Sequence, residues 1–412
     1  MVSDPRTFVI AGAGQAGRWV AWTLRQEGFA GRIVWFGDEA HVPYERPPLS
    51  KAVLKDEAGF ERLVLVPEPK WSELALDWRP GQRIASIDRA ARRVVTESGE
   101  DVAYDALFLA LGGVARTLPG VAPHARILTL RTWEDALALK SALKGRPRVL
   151  VLGGGWIGLE VAASARTLGC EVTVVEAVAR LCQRTVPPAV STHLLETHRA
   201  HGVDVRLGDG VREVVANEDG VKLTLGGGAT LQGDLLVVGI GLVANDRLAA
   251  AAGLAVGNGI HTDAQGRTKD AAIYAVGDCA NALRGNGTRA RIESWENAQR
   301  QAVAAAKAAL GLTHDAAADG PPWFWSDQYD DNLQLLGEPT ESMRVVERNV
   351  PAKRSRVFFF CDGARIKAVA AINAGREIRV VRKWIAQDRY PGLDALVDPA
   401  ADLNKLPVQA PA

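Results

Sequence analysis

Two glycine clusters have the spacing to handle phosphates. Gly12-Ala13-Gly14-Gln15-Ala16-Gly17 and Gly153-Gly154-Gly155-Trp156-Ile157-Gly158 both read Gly-x-Gly-x-x-Gly, and their first glycines are 141 residues apart. In such a turn the first glycine permits a tight bend and the second lets backbone approach a pyrophosphate. The third lets a helix pack close to a sheet, and the helix N-terminus then faces the phosphates. An acid follows each cluster where a carboxylate can accept from a ribose hydroxyl. After the first it is Asp38, with Glu39 as its rival; after the second it is Glu176. Glu176 would repel a 2′-phosphate, and no arginine immediately follows it; Arg180 and Arg184 come later. The second site therefore favours NADH over NADPH. Two complete fingerprints one domain apart predict two dinucleotide sites.

The elements around these turns have the required order. Thr7 to Ala11 reads as a strand, Trp19 to Gln26 as a helix ending at Gly28, and Arg32 to Phe36 as a second strand. The pattern recurs as strand Arg148 to Leu152, helix Leu159 to Leu168, Gly169, and strand Glu171 to Val175. This predicts an α/β chain with two Rossmann-like domains. An N-terminal fingerprint paired with an internal one is the order of flavoproteins that hold FAD first and NAD(P)H second. At 412 residues and 44.0 kDa the chain has room for two or three domains. Its 47% hydrophobic and 24% charged residues exclude disorder, collagen and coiled coil as whole-chain descriptions. A net charge of +1 argues against a global nucleic-acid or membrane binder. The longest apolar stretches, such as Leu235 to Ala244, are about half a membrane span. The N-terminus carries no secretory pattern, so a reducing cytoplasm is expected. The four cysteines, Cys170, Cys182, Cys279 and Cys361, make no Cys-x-x-Cys, and none precedes Gly120. The seven histidines form no spaced cluster, so no metal is expected.

Several further segments carry a more specific signal. They are Pro43-Tyr44-Glu45-Arg46-Pro47-Pro48-Leu49-Ser50-Lys51, Leu130-Arg131-Thr132-Trp133-Glu134-Asp135 and Tyr274-Ala275-Val276-Gly277-Asp278-Cys279. Arg291-Ile292-Glu293-Ser294-Trp295 and Trp323-Phe324-Trp325-Ser326-Asp327-Gln328-Tyr329 complete them. In this order the chain resembles the FAD-dependent NADH:ferredoxin reductases that feed Rieske-type oxygenases and haem monooxygenases. The resemblance implies an FAD domain in two pieces (1–115 and 243–320), an NADH domain between them (116–242) and a C-terminal α/β domain (321–412). It implies Lys51 near the flavin N5 and Glu160 at the nicotinamide amide as the catalytic residues. FAD would be held by Gly12, Gly14, Ala16, Gly17, Asp38, Ile84, Arg131, Asp278 and Trp295. NADH would be held by Gly153, Gly155, Ile157, Gly158, Glu160, Glu176, Arg184 and Gly241. Trp323 and Trp325 would line the flavin or the partner surface, or simply pack in a core. Asp278 is expected after a strand and before a helix-like stretch leading to Gly285. The chain departs from the family pattern at Ala110-Leu111-Gly112-Gly113 and at Ala244.

Residues 341–390 hold twelve basic and five acidic residues. Ile378, Val381 and Ile385 follow helical spacing, which leaves Arg376, Arg379 and Lys383 toward water. Such a basic face would steer an acidic [2Fe-2S] ferredoxin; the alternative is an ordinary solvated surface. The activity implied is electron transfer from NADH through FAD to that ferredoxin. Rival readings are a monodehydroascorbate-reductase-like or other small-acceptor flavin reductase, and a non-enzymatic flavoprotein module. A dithiol enzyme would need a cysteine pair beside the flavin.

Overall fold

The computed structural model describes residues 4–314 and 320–411. The chain groups into two compact units: 1–46, 59–114 and 242–319 form the first, and 47–58, 115–241 and 320–412 the second. Residues 315–319, at the end of the second expected FAD segment, lie outside the described residues.

The first unit is built on a five-stranded parallel sheet. Its strand order is Ile273–Ala275, Ala106–Leu109, Thr7–Ala11, Arg32–Phe36, Leu76–Arg79. Helices Gln15–Gln26 and Trp295–Ala309 pack together on it. Val9, Ile10, Ile33, Val34 and Trp35 are completely buried, so the strands read as continuous apolar runs, as strands covered on both faces must. Gly12 bends the chain out of the first strand at φ +111°, and a Cβ there would lie 2.2 Å from the Ala110 carbonyl oxygen. The stretch after Asp278 differs from expectation. Gly277–Cys279 is one 3-10 turn, and Ala280–Leu283 is a strand paired with Ile260–Thr262 and Arg289–Ala290, not a helix.

The second unit repeats the motif with a parallel sheet. The order here is Asp204–Leu207, Glu171–Glu176, Arg148–Leu152, Leu235–Val238, Ile127–Leu128. Gly153 turns at φ +108°, as Gly12 does. The same unit holds a five-stranded antiparallel sheet, ordered Trp323–Gln328, Asp331–Leu336, Arg365–Ile372, Ser355–Asp362, Arg344–Val350. Helix Gly375–Gln387 buries Ile378, Val381 and Trp384 and keeps Ile385 half-buried. Arg376, Arg379 and Lys383 are exposed, as its spacing predicts. Leu333, Leu335, Phe358 and Phe360 of this sheet share one apolar core with Val149, Val151 and Leu159. The middle and C-terminal segments, expected as separate domains, thus share a core, and the proline-rich turn at 47–58 groups with them.

Candidate functional site

Helix Trp156–Thr167 starts at the second fingerprint and turns Glu160 inward, where it is 3% exposed. Three side chains converge on that carboxylate. Lys51 Nζ donates to Oε1 at 2.9 Å, Ser326 Oγ donates to Oε1 at 2.7 Å, and Ser50 Oγ donates to Oε2. Ser50 and Lys51 arrive on the short turn Pro47–Ser50 and its continuation. One turn along the helix, Ser164 Oγ donates to the Ser50 carbonyl at 2.7 Å, so the helix grips the turn at positions four residues apart. Ser326 comes from the first strand of the antiparallel sheet. Lys51 Nζ also lies 5.9 Å from the ring centre of Trp325, which stacks on Trp323 at 5.0 Å. Lys51, Glu160, Trp323 and Trp325, expected from sequence, are therefore brought together here. Ser50, Ser326 and Gln328 were not singled out as site residues. They occur only inside the quoted segments, and nothing local marks them.

The hydrogen bonds continue away from Glu160. Gln328 Nε2 donates to Ser326 Oγ (3.0 Å), His198 Nε2 donates to Gln328 Oε1 (2.8 Å), and Tyr329 OH donates to His198 Nδ1 (3.1 Å). Every donor points toward the carboxylate, which assigns the Nε2–H tautomer to His198. Burial pushes the His198 imidazole down to about 4. The unfolded chain therefore takes up a proton near pH 6.5 that the folded chain takes up only near pH 4. Stability from this group is intact above pH 6.5 and falls as pH drops toward 4, by up to about 3 kcal/mol. Thermal melting between pH 7 and 4.5 should show that fall in the wild type and a shallower one in His198→Gln. Equal slopes would sink the assignment.

The second fingerprint fits a dinucleotide. Gly155 is the N-cap of its helix, makes no side-chain cap, and has open space where a Cβ would be, so the first-turn amides are left for a diphosphate. A Cβ on Gly158 would lie 2.1 Å from the Gly153 carbonyl oxygen, the close helix–turn approach its type allows. Glu176 accepts from Gly154 N–H at 2.6 Å and from Val178 N–H at 3.0 Å, holding its carboxylate at the strand end. Ile157 is 45% exposed on the first helical turn. Arg184 Nη2 lies 3.7 Å from where a Gly241 Cβ would stand.

In the first unit the fingerprint has the same form, with Gly14 as an N-cap facing open space. The two acids after the second strand separate clearly. Glu39 is taken by Tyr44 OH and Arg46 Nη2, each at 2.6 Å, whereas Asp38 is half-exposed and only loosely paired with Arg83 at 3.4 Å. Of the two acids, Asp38 is the one left more open to solvent. Gly277, beside Asp278, comes against the fingerprint; its Cβ would be 3.1 Å from Ala16 Cβ. Gln15, with its amide oxygen turned to the indoles, accepts from Trp19 Nε1 (2.9 Å) and Trp295 Nε1 (3.3 Å). Ile84 is buried at the start of strand Ile84–Asp88. Arg131 lies in the second unit, where its backbone N–H donates to Asp135 at a helix cap. All four cysteines are free and buried, and burial raises each thiol.

Residues 6–302 match the pyridine nucleotide-disulphide oxidoreductase family, and residues 323–407 match a reductase C-terminal domain. Among solved structures, the chain is 36% identical to putidaredoxin reductase in its covalent complex with putidaredoxin. That match covers 97% of both chains with a TM-score of 0.90. It is 38% identical to the ferredoxin reductase for the CYP199A2 system of Rhodopseudomonas palustris, over 97% of this chain and 99% of that one, also at 0.90. A water-forming NADH oxidase from Lactobacillus brevis, 20% identical with a TM-score of 0.84 over 97% of both chains, shares the fold.

Proposed function

The chain belongs to the pyridine nucleotide-disulphide oxidoreductase family, and from that premise we propose that it carries electrons from NADH through FAD to a [2Fe-2S] ferredoxin serving an oxygenase. It is an NADH-dependent flavoprotein oxidoreductase. The observation that carries the reading is its end-to-end likeness to two ferredoxin reductases, C-terminal domain included. FAD, when bound, would supply the chemistry that joins two-electron oxidation of NADH to one-electron delivery. The chain's own residues bind and orient. Glu176 would accept from the NADH ribose, and Glu160, fixed by three donors, would receive the nicotinamide amide. Lys51 would supply positive charge beside the reacting ring. Asp38 and Asp278 would hold FAD. Four free cysteines suit a cytoplasmic setting, and among the described residues no helix is long and apolar enough to cross a membrane. The test is direct. FAD-loaded protein should reduce a [2Fe-2S] ferredoxin with NADH far faster than it reduces monodehydroascorbate or a disulfide. A colourless protein that cannot be reconstituted with FAD would overturn the reading.

The ferredoxin docks, in this reading, on the basic C-terminal face. Arg376, Arg379 and Lys383 line a hollow of about 300 Å³ together with Trp384, Asn404 and Leu406. Among the described residues, none of the three cations is in an ion pair. Their field is left for an acidic partner and is screened as the Debye length falls from ~30 Å at 0.01 M to ~10 Å at 0.1 M salt. Arg379→Glu/Lys383→Glu should slow ferredoxin reduction about tenfold at low salt through the association rate, and leave ferricyanide reduction near normal. Equal salt slopes for wild type and variant would move the docking site elsewhere.

A further inference from the structure

Oxidising one NADH and sending two electrons to one-electron acceptors leaves one proton behind. Per turnover NADH becomes NAD⁺, two acceptors are each reduced by one electron, and one H⁺ must reach solvent. Glu160 is 3% exposed, and Lys51 is its only cationic partner among the described residues, so the proton needs a path.

Two branches leave Glu160 through Ser326. One continues by direct hydrogen bonds to Gln328 and His198. It stops at an amide, which does not pass protons on readily. The other opens into a cavity of about 10 Å³, lined by Ser326, Gln328, Thr197, His193, Asp331 and two leucines. That volume takes about one water molecule, and the walls offer the two to four polar partners a buried water needs. At the far wall His193 Nε2 and Asp331 Oδ2 are 3.1 Å apart, with side chains 13% and 17% exposed. Arg356 Nη1 stands 3.4 Å from His193 Nδ1 and is itself paired to Glu347 and Glu196. Arg354 approaches the other side of Asp331 at 4.0 Å. Cys182, a buried thiol, also lies in the field of Glu160. The inner end of the path is buried and the outer end is a titratable pair that is partly open to solvent.

We propose that Ser326, one water and the Asp331–His193 pair form the exit for the proton that NADH oxidation leaves behind. The proposal rests on the electron-transfer function and on Lys51 standing beside the reacting ring. Lys51 gives an N–H proton to Glu160 Oε1 and regains one from the reacting centre. An O–H bond forms on Glu160 as the Lys51 N–H bond breaks. Ser326, no longer held by an ionised carboxylate, turns its O–H to the cavity. Its proton passes to the water as it takes the one from Glu160. The water delivers a proton to the Asp331–His193 pair, and from there it enters solvent. No electron moves along this path.

The test uses FAD-loaded enzyme with ferricyanide, which takes one electron and no proton, and a pH-indicator dye read by stopped flow. Enzyme reduced by light, without NADH, is mixed with ferricyanide and dye. In the wild type, proton appearance should keep pace with flavin reoxidation. In Ser326→Ala it should lag roughly tenfold or more, with an enlarged solvent isotope effect. Ser326→Thr, which restores the hydroxyl, should recover the wild-type rate. Asp331→Asn, at the outer end, should show the lag while hydride transfer from NADH stays near normal. The flavin midpoint potential against pH should be the same in Asp331→Asn and wild type, since a path changes rates and not equilibria. Proton release in Ser326→Ala and Asp331→Asn that matches the wild type would overturn the relay. Failure of the wild type to oxidise NADH would instead overturn the function it rests on.

Discussion

Glu160→Ala should lower the rate of flavin reduction by NADH about 10²-fold or more and destabilise the protein at the same time. The carboxylate receives Lys51, Ser50 and Ser326 together, and the Lys51 and Glu160 side chains are 14% and 4% exposed. Removing it leaves a nearly buried ammonium without its counter-charge, which costs about 3–5 kcal/mol. The two effects separate in a second variant. Lys51→Met/Glu160→Leu replaces both charges by apolar groups, and a buried pair so replaced recovers much of its stability. Hydride transfer should not recover with it, because neither the amide ligand nor the positive charge returns. Stopped-flow flavin reduction and thermal melting on the three proteins decide the matter. Near-normal hydride transfer in Glu160→Ala, with the fold intact, would remove Glu160 from the reaction.

What could be read from sequence were features whose cause is local. Each fingerprint reads out because one chain segment must bend, approach a phosphate and enter a helix within six residues, and only glycine meets those demands. The apolar runs read as strands because both faces of a parallel sheet are buried. The surroundings of Glu160 are different in kind. Lys51 lies 109 residues before it and Ser326 lies 166 after it. The resemblance placed Lys51 and Glu160 separately, and only folding shows them as one ion pair. Ser326 lies inside a recognisable segment, but nothing there singles it out from its neighbours, since one inward serine on a strand looks like any other. Asp38 was preferred with Glu39 as its rival, and the engagement of Glu39 by Tyr44 and Arg46 could not be read from sequence for a similar reason, because those two side chains come from a loop. The strand Ala280–Leu283 was misread because four residues are too few for periodicity to separate strand from helix. The grouping of the chain into two units was hidden by the turn at 47–58, whose prolines signal stiffness but not which core it joins.

Nucleotide choice should turn on Glu176. Its carboxylate is fixed by the Gly154 and Val178 amides at the end of its strand. A 2′-phosphate brought to that ribose would meet a charge that cannot swing away. Two like charges 4 Å apart repel by about 1 kcal/mol in water and about 4 kcal/mol near a protein surface, and a phosphate carries more than one. Glu176→Ala should therefore narrow the preference for NADH over NADPH by about tenfold to a hundredfold. Glu176→Ala/Ala177→Arg adds a cation and should push further, toward parity or past it. Because Glu176 also braces the turn, the single variant should lose NADH affinity as well, raising KM more than it lowers kcat. Substitution by glutamine keeps an oxygen for the Gly154 amide and removes the charge. That variant should keep most of the NADH affinity while it relaxes discrimination, which separates repulsion from bracing. Steady-state kcat/KM for both nucleotides across the four proteins measures it. A wild type that prefers NADPH by an order of magnitude would show that this carboxylate does not face the ribose.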